Sequence, residues 1–214
     1  MSIRDERKQQ SRQALLDAAL KLSTSGRSFS TISLREIARV VGLVPTAFYR
    51  HFEDMDQLGC NLVEQVSLRL REVILQLRQG YFIQQNAKTR SSIELFFKAV
   101  DESPQDWLFF IAERWGGSLA VRQEIANEID ILIAGLGNDL TESTSFKHVE
   151  SAEDLMVIST ILINLSFTWA MTWRNMRENL SSPQLETEQQ QYIDQVTVQV
   201  RLLFRGIENW QSAE

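Results

Sequence analysis

Residues 33–52 read SLREIARVVGLVPTAFYRHF, and this stretch decides the fold of the chain. It begins with Ser33 and Glu36 at the S-x-x-E spacing of a helix capping box, and apolar residues follow at helical spacing. Gly42 marks a turn because glycine is the usual residue where a helix stops, and Pro45 can begin a helix because proline fits the first helical turn. Two short helices joined by a tight turn predict a helix-turn-helix motif.

Small and apolar residues occupy the positions where the two helices of this motif must meet. Ala38 allows a close crossing, and Leu43 and Phe48 are predicted to lock the second helix onto the first. In such a motif the N-terminal end of the second helix enters the major groove of DNA. The residues predicted at that end are Pro45, Thr46, Ala47, Tyr49 and Arg50.

Four residues of the motif are candidates to read DNA bases. Thr46 and Ala47 carry methyl groups that can touch a thymine methyl, and Arg50 can bond the O6 and N7 atoms of guanine. Arg35, in the first turn of the preceding helix, could reach a base or a phosphate. For Arg50 the alternative is a solvated surface arginine without a DNA contact.

The motif ends in Phe-Tyr-Arg-His-Phe at residues 48–52 and leads into a long helix near Asp54. With the long helix before it, this pattern resembles the TetR family of bacterial transcription regulators, over about residues 8–65. The resemblance implies that the first three helices bind DNA, and that the rest binds a small ligand and dimerises through its last two helices. It also implies that Tyr49 and His51 hold phosphates, although Tyr49 could instead pack half-buried on its helix.

The start of the fourth helix departs from the pattern of the family. Many members carry a lysine there that meets a phosphate, whereas this chain has Met55 flanked by Glu53, Asp54 and Asp56. The three acids should repel the DNA backbone, so only backbone N–H groups could bind a phosphate at this position.

Charge is divided unevenly along the chain, whose formal net charge is −6. Residues 1–52 carry nine Lys/Arg against four Asp/Glu, while the remainder carries 13 against 24. This asymmetry predicts a small cationic module that can hold phosphates, attached to an acidic body that avoids them. Lys8 and Arg12 of the first helix could add phosphate contacts or form a solvated basic face.

Apolar residues at helical spacing dominate the rest of the chain, and no alternating pattern of useful length predicts a strand. The chain has 214 residues, 43% of them hydrophobic, and only 3 Pro and 9 Gly, which argues against a turn-rich β-sandwich or barrel. We therefore predict an all-α fold of about nine helices. The predicted domains are a helix-turn-helix DNA-binding domain at 1–54 and a helical effector-binding and dimerisation domain at 55–214.

Local signals place the boundaries of several helices. The first helix is predicted at about 5–24, and a helix from about Met55 to Leu77 is long enough to bridge two domains. Ser103-Pro104 and Ser151 are predicted helix starts because serine is a favoured N-cap residue. Further helices are predicted at about 153–177 and 188–210, and loops at 84–91, 141–148 and 179–184.

A set of aromatic residues in the second predicted domain could form an ordinary core or line an apolar cavity. Arg114 could neutralise the head group of a bound ligand, and ion pairs within the chain are its alternative. Gly116-Gly117 would permit a bend or a close approach between helices. The candidate ligand-binding residues are Phe96, Phe97, Trp107, Phe110, Arg114, Trp115, Phe167, Trp169 and Trp173.

Two stretches are similar to a subgroup of the family, the fatty-acid regulators of the FabR and DesT type. They are residues 45–52, with 33–36 upstream, and residues 113–118 with 122–125. The resemblance implies a repressor of fatty-acid genes that senses an acyl thioester, carried by coenzyme A or acyl carrier protein. The implied partners are a palindromic double-stranded DNA operator, this hydrophobic effector and a second copy of the chain.

The last predicted helix carries an apolar stripe that could pack against a second copy in a four-helix arrangement. Packing within the chain is the alternative. The candidate interface residues are Ile193, Val196, Val200, Leu203 and Ile207.

Other classes of function find little support in the sequence. A single cysteine, Cys60, excludes an internal disulfide and a cysteine-based zinc site, and we expect no cofactor. Gly116-Gly117-Ser118 faintly resembles a nucleophile elbow, but no strand precedes it, so we expect no enzyme. The N-terminus has no apolar signal region and the apolar runs are shorter than a membrane span, so we expect a cytoplasmic protein. An alternative stays open, a helical acyl-ligand carrier or partner-binding protein without specific DNA binding, which the acids around Met55 favour.

Overall fold

A computed structural model describes residues 3–83, 89–143, 146, 147, 149 and 151–210, with the side chains of 77–83 and 208 outside the description. Within these residues the protein is all-helical and contains no strand, which confirms the predicted fold class. The helices are α1 (Ile3–Ser23), α2 (Leu34–Val41), α3 (Pro45–Phe48), α4 (Met55–Ile83), α5 (Thr89–Glu102), α6 (Pro104–Glu113), α7 (Leu119–Glu142), α8 (Ala152–Asn179) and α9 (Ser182–Glu208), with a 3-10 turn at Phe29–Thr31.

The predicted signals at the helix-turn-helix are confirmed by hydrogen bonds. The Ser33 hydroxyl accepts the N–H of Glu36, and the Glu36 carboxylate accepts the N–H of Ser33 at 2.9 Å, which completes the capping box of α2. Gly42 ends α2 in the left-handed conformation, with φ of 77°, where a residue with a Cβ would be strained. Pro45 lies in the first turn of α3.

The second helix of the motif, α3, has only four residues of regular helix. Regular helix ends at Phe48, and the chain continues to Phe52 through turns. In these turns the N–H of Arg50 bonds the carbonyl of Ala47 at 3.3 Å, and the N–H of His51 bonds that of Phe48 at 2.8 Å. Residues 44–52, called the recognition segment below, therefore follow the turn as predicted, although the last part of this segment is not regular helix.

The predicted loop at 179–184 is wrong, because only Leu180 and Ser181 separate α8 from α9. Ser181 is the N-cap of α9 and a proline follows in the first turn, the same Ser-Pro type of start that was recognised at α6. Of the predicted loop at 84–91, residues 84–88 lie outside the described residues and the rest belongs to α5. Residues 144, 145 and 148 of the predicted loop at 141–148 also lie outside the described residues, and Thr141 and Glu142 belong to α7.

Contacts between Cα atoms divide the chain into two compact units. The first consists of Met1–Arg69 and Gln105–Glu128, so it contains α1 to α3, the start of α4, α6 and the first part of α7. The second consists of Leu70–Pro104 and Ile129–Glu214, in which α9 packs against α5 and α8. The predicted division at residue 54 concerns function rather than packing and stays a prediction.

Helix α8 is long and apolar enough to cross a membrane, by length and composition alone. Its uninterrupted apolar runs are short, as expected, but an 18-residue window has a mean hydropathy of 1.6. A core helix of a soluble protein passes the same test, and α8 buries a line of side chains that includes Leu155, Ile163 and Trp173. The composition of one such helix is weak support for a membrane span.

Candidate nucleic-acid interface

The helix-turn-helix separates buried anchors from exposed side chains. Ile37, Ala38, Phe48 and Phe52 are buried in the first compact unit, as the motif requires. All seven predicted DNA-binding residues reach the surface, with Tyr49 64% exposed. The exposed residues are Arg35, Pro45, Thr46, Tyr49 and Arg50, and the partly exposed ones are Ala47 and His51.

Aromatic contacts within residues 48–52, and a cation–π contact from α1, hold the C-terminal part of the motif in place. The rings of Phe48 and Phe52 lie 5.5 Å apart, and the ring of Tyr49 meets Phe48 edge-on at 5.7 Å. The guanidinium of Arg12 lies 5.1 Å from the centre of the Phe52 ring and donates a hydrogen bond to the side chain of Asn61. Arg12 therefore joins α1 to the motif and to α4, a role that the sequence did not indicate.

His51 is held in a form suited to donating one hydrogen bond. Its Nδ1 is buried and has no hydrogen-bond partner among the described residues. Burial lowers the pKa of the imidazole, and the nearby cations Lys8, Arg12 and Arg50 lower it further. The imidazole is therefore mainly neutral at pH 7, and a proton on Nε2 avoids a buried N–H without an acceptor. A neutral Nε2–H suits a phosphate oxygen.

The acids at the start of α4 are used to cap and position that helix. The Asp54 carboxylate accepts the N–H of Gln57 at 2.8 Å, and the Gln57 side chain accepts the N–H of Glu53 at 2.7 Å. Asp56 accepts the hydroxyl of Ser118 at 3.1 Å. These N–H groups already have acceptors, so the expected phosphate contact through the backbone is not available to them. The carboxylates of Asp54 and Asp56 thus have partners within the chain, and the alternative of a protein without specific DNA binding stays open.

An ion pair between Arg27, which lies outside the motif, and Glu36 strengthens the capping box of α2. The Arg27 guanidinium donates to the Glu36 carboxylate at 2.9 Å and to the carbonyl of Thr31 at 2.8 Å. The bond from Arg27, followed by those from the backbone and side chain of Ser33, lowers the pKa of Glu36 to about 2. Glu36 is therefore ionised at neutral pH and fixes the start of α2.

The turn between α6 and α7 is bonded to the loop that precedes the motif, within the first compact unit. Glu113 is only 2% exposed, and its carboxylate accepts the N–H of Phe29 at 2.7 Å and the hydroxyl of Ser28 at 3.2 Å. A Cβ on Gly117 would lie 2.3 Å from the Ser30 hydroxyl. The close approach at Gly117 is therefore to the 3-10 turn rather than between two α-helices, and no sequence pattern indicated Glu113 as a buried acceptor.

The other half of the chain decides the family. Residues 86–199 match the profile of the tetracyclin repressor-like C-terminal domain family. The chain belongs to the TetR family. The motif at 33–52 supplies the N-terminal helix-turn-helix that this family joins to such a domain, and the resemblance noted from the sequence is thereby confirmed at the level of the family.

Solved structures of the family share the fold at low sequence identity. A TetR-like regulator of Rhodococcus sp. RHA1 superimposes with a TM-score of 0.61 at 18% identity, over 94% of this chain and 97% of that one. Reduced NemR of E. coli gives 0.57 at 18%, over 87% and 95%. The fatty acid degradation regulator FadR of Bacillus halodurans gives 0.61 at 11%, over 95% and 97%.

The predicted ligand-binding aromatics are divided between the two compact units of this TetR-family chain. In the second unit the rings pack on one another, with Phe97 stacked on Trp173 at 4.2 Å between ring centres. The indole N–H of Trp169 bonds Gln199 at 2.7 Å, and that of Trp173 bonds Asp101 at 3.0 Å. The members in this unit, Phe96, Phe97, Phe167, Trp169 and Trp173, are all buried. They form a packed core between α5, α8 and α9.

The members in the first unit have different surroundings. Trp107 and Phe110 are buried, whereas Trp115 is 80% exposed, so its interpretation as a core residue is wrong and its role in ligand binding stays a prediction. Helix α6 ends at Glu113, and the following turn carries Trp115 to the surface. The Arg114 guanidinium lies 5.4 Å from the centre of the Trp115 ring, and burial lowers its pKa.

The apolar stripe that was predicted for dimerisation faces the interior of the chain. Ile193, Val196, Val200 and Ile207 are buried within the second unit, and Leu203 is partly buried. A different set of apolar side chains on the last two helices is exposed: Met156, Val157 and Ile161 of α8, with Val198 and Leu202 of α9. Helix α9 thus carries two apolar stripes, and periodicity alone does not show which one the chain itself covers.

Proposed function

We propose that this protein is a homodimeric, sequence-specific DNA-binding transcriptional regulator that acts as a repressor in the cytoplasm. The observation that carries the proposal is the exposed cationic face of residues 35–50, supported from below by Phe48 and Phe52. Membership of the TetR family supports the same function. DNA binding belongs to residues 1–54, and effector binding and dimerisation belong to 55–214.

Some exposed residues of the motif bind DNA phosphates, and others contact the bases. Tyr49 and the neutral His51 donate hydrogen bonds to phosphates, which fixes position without reading sequence. Thr46, Ala47 and Arg50 meet base edges in the major groove, where methyl groups and guanine acceptors distinguish base pairs. Arg35 adds a contact from the first turn of α2.

The dimer forms through the exposed apolar side chains of α8 and α9, which include Val157, Ile161 and Leu202. Covering them with the same surface of a second copy would remove apolar area from water on both sides. A two-fold dimer places two recognition segments about 34–36 Å apart, in successive major grooves on one face of DNA. The operator is therefore palindromic.

The effector is a hydrophobic molecule such as a long-chain acyl thioester, and the controlled genes belong to fatty-acid metabolism. The likeness of the fold to a structure named as a fatty acid degradation regulator supports this choice, as do the stretches that resemble FabR and DesT. Arg114, whose guanidinium is partly desolvated, is the candidate for the polar head of the ligand.

Selection of bound duplexes from a random library, followed by sequencing, tests the DNA function directly. We expect a two-fold palindrome, because a symmetric dimer presents two identical recognition segments. Tyr49→Ala should weaken binding to all duplexes alike, whereas Arg50→Ala should relax preference at one base pair of each half-site, an effect of about 1–3 kcal/mol. Absence of any enriched sequence, with and without an unsaturated acyl-CoA, would refute the proposal.

A further inference from the structure

Val44 is the most exposed aliphatic side chain of the recognition segment, and the DNA contacts proposed above do not use it. Val44 is 65% exposed and stands at the N-cap of α3, where serine, threonine, aspartate and asparagine are strongly preferred. Its side chain makes no capping hydrogen bond. An apolar residue at this position gives up the stabilisation of a polar cap and also exposes methyl groups to water.

The surroundings of Val44 carry positive charge. Arg35, Arg39 and Arg50 are exposed on the same motif, and none of them forms an ion pair with any residue that the structure describes. Exposed cations favour an anionic partner, and exposed methyl groups favour an apolar patch on that partner. The major groove of DNA offers both, since phosphates line it and the C5 methyl of thymine is the apolar group on its floor.

We propose that Val44 reads a thymine methyl group in each half-site, so that the operator carries a T·A pair at that position. The inference rests on the proposed DNA function. The β-branched valine has few rotamers, so its two methyl groups are held in place at little entropic cost when they meet the base. Loss of the cap in the free protein is offset by burial of these methyl groups on DNA.

Uracil provides the decisive test because it differs from thymine only by this methyl group. Duplexes selected by the full-length protein are remade with uracil in place of thymine, at one symmetric pair of positions at a time. Burial of one methyl group is worth about fourfold in an equilibrium constant, so uracil in both half-sites should weaken binding about fifteenfold. In the wild type we expect this loss at the position that Val44 reads, besides any position read by Thr46 or Ala47. In Val44→Ala the replacement should have no effect at the first position and an unchanged effect at the others.

Two further variants separate base reading from a structural role. Val40 is also exposed, at 50%, but lies on α2, the helix that crosses the DNA backbone in this motif. Val40→Ala should keep the full sensitivity to uracil. Val44→Ser supplies the missing cap, so it should raise the melting temperature of the protein while it removes the sensitivity to uracil at the position that Val44 reads.

The outcomes distinguish this inference from the function on which it rests. A selected palindrome without a uracil-sensitive position overturns the role of Val44 and leaves DNA recognition standing. The same holds if every uracil-sensitive position remains sensitive in Val44→Ala. Failure to select any sequence, under both ligand conditions, overturns the DNA function and this inference together.

Discussion

Three helical glycines provide a graded test of side-chain packing: Gly59 lies in the first compact unit, and Gly137 and Gly206 lie in the second. A Cβ on Gly59 of α4 would lie 2.6 Å from Cγ2 of Val121 and 2.8 Å from the ring of Phe29, both of which are buried. A Cβ on Gly137 would meet the sulfur of Met156 at 2.6 Å, but that side chain is flexible and partly exposed. Gly206 of α9 has nothing within 4 Å.

Replacement of each glycine by alanine gains about 1 kcal/mol of helix propensity. At Gly59 the added methyl group overpacks a buried contact, which costs about 1–3 kcal/mol, and three atoms closer than 3.0 Å place it at the upper end. Gly59→Ala should therefore lower the free energy of unfolding by about 2 kcal/mol. Gly206→Ala should raise it by up to about 1 kcal/mol. Gly137→Ala should lie between them, because Met156 can move aside.

Thermal unfolding followed by calorimetry measures the series. For a chain of this size, each kcal/mol shifts the melting temperature by about 2–4 °C. We expect Gly59→Ala to melt about 4–8 °C below the wild type and Gly206→Ala to melt slightly above it. A Gly59→Ala protein that melts with or above Gly206→Ala would refute the close packing of α4, α7 and Phe29.

Three other perturbations test separate parts of the molecule. Glu113→Ala leaves the buried N–H of Phe29 without an acceptor and should cost about 1–3 kcal/mol of stability, measured by urea unfolding, whereas Glu113→Gln keeps an acceptor and should cost less. Because the pKa of Glu36 is lowered to about 2 from 4.5, the stability it contributes should be present above pH 4.5 and lost as the pH falls towards 2. Thermal melts from pH 6 to 3 should show a weaker pH dependence in Glu36→Gln than in the wild type. Leu202→Glu should convert the dimer to a monomer of 24.7 kDa, measured by light scattering. Leu119→Glu, at an equally exposed position on α7, should leave the dimer intact. A Leu202→Glu protein that stays dimeric would contradict the proposed interface.

The sequence predicted the helix-turn-helix well because the rules that form it are local. The pair Ser33 and Glu36, the glycine at 42 and the proline at 45 each act within four residues of the chain. Burial of Phe48 followed from the same short pattern. Such signals survive in a single sequence because they depend little on what packs against them.

Features that depend on distant parts of the chain were beyond the sequence. Glu113 bonds a residue 84 positions away, and no local pattern marks a carboxylate for burial against a backbone N–H. The apolar stripe of α9 was recognised, but the choice between Val196 and Leu202 as the outward residue depends on where α5 and α8 lie. Trp115 was assigned to the interior by its residue type, and the turn after α6 carries it outside.

The bond from Glu113 also sets how the two ends of this contact can change during evolution. The Glu113 carboxylate accepts the main-chain N–H of residue 29, and every residue except proline would supply that N–H. That N–H would remain if another large apolar residue replaced Phe29. No backbone group stands in for the carboxylate, so Glu113 has few acceptable replacements. The side chain at position 29 can therefore change without loss of the bond that positions the loop before the helix-turn-helix. The more constrained residue is Glu113, at the end of α6.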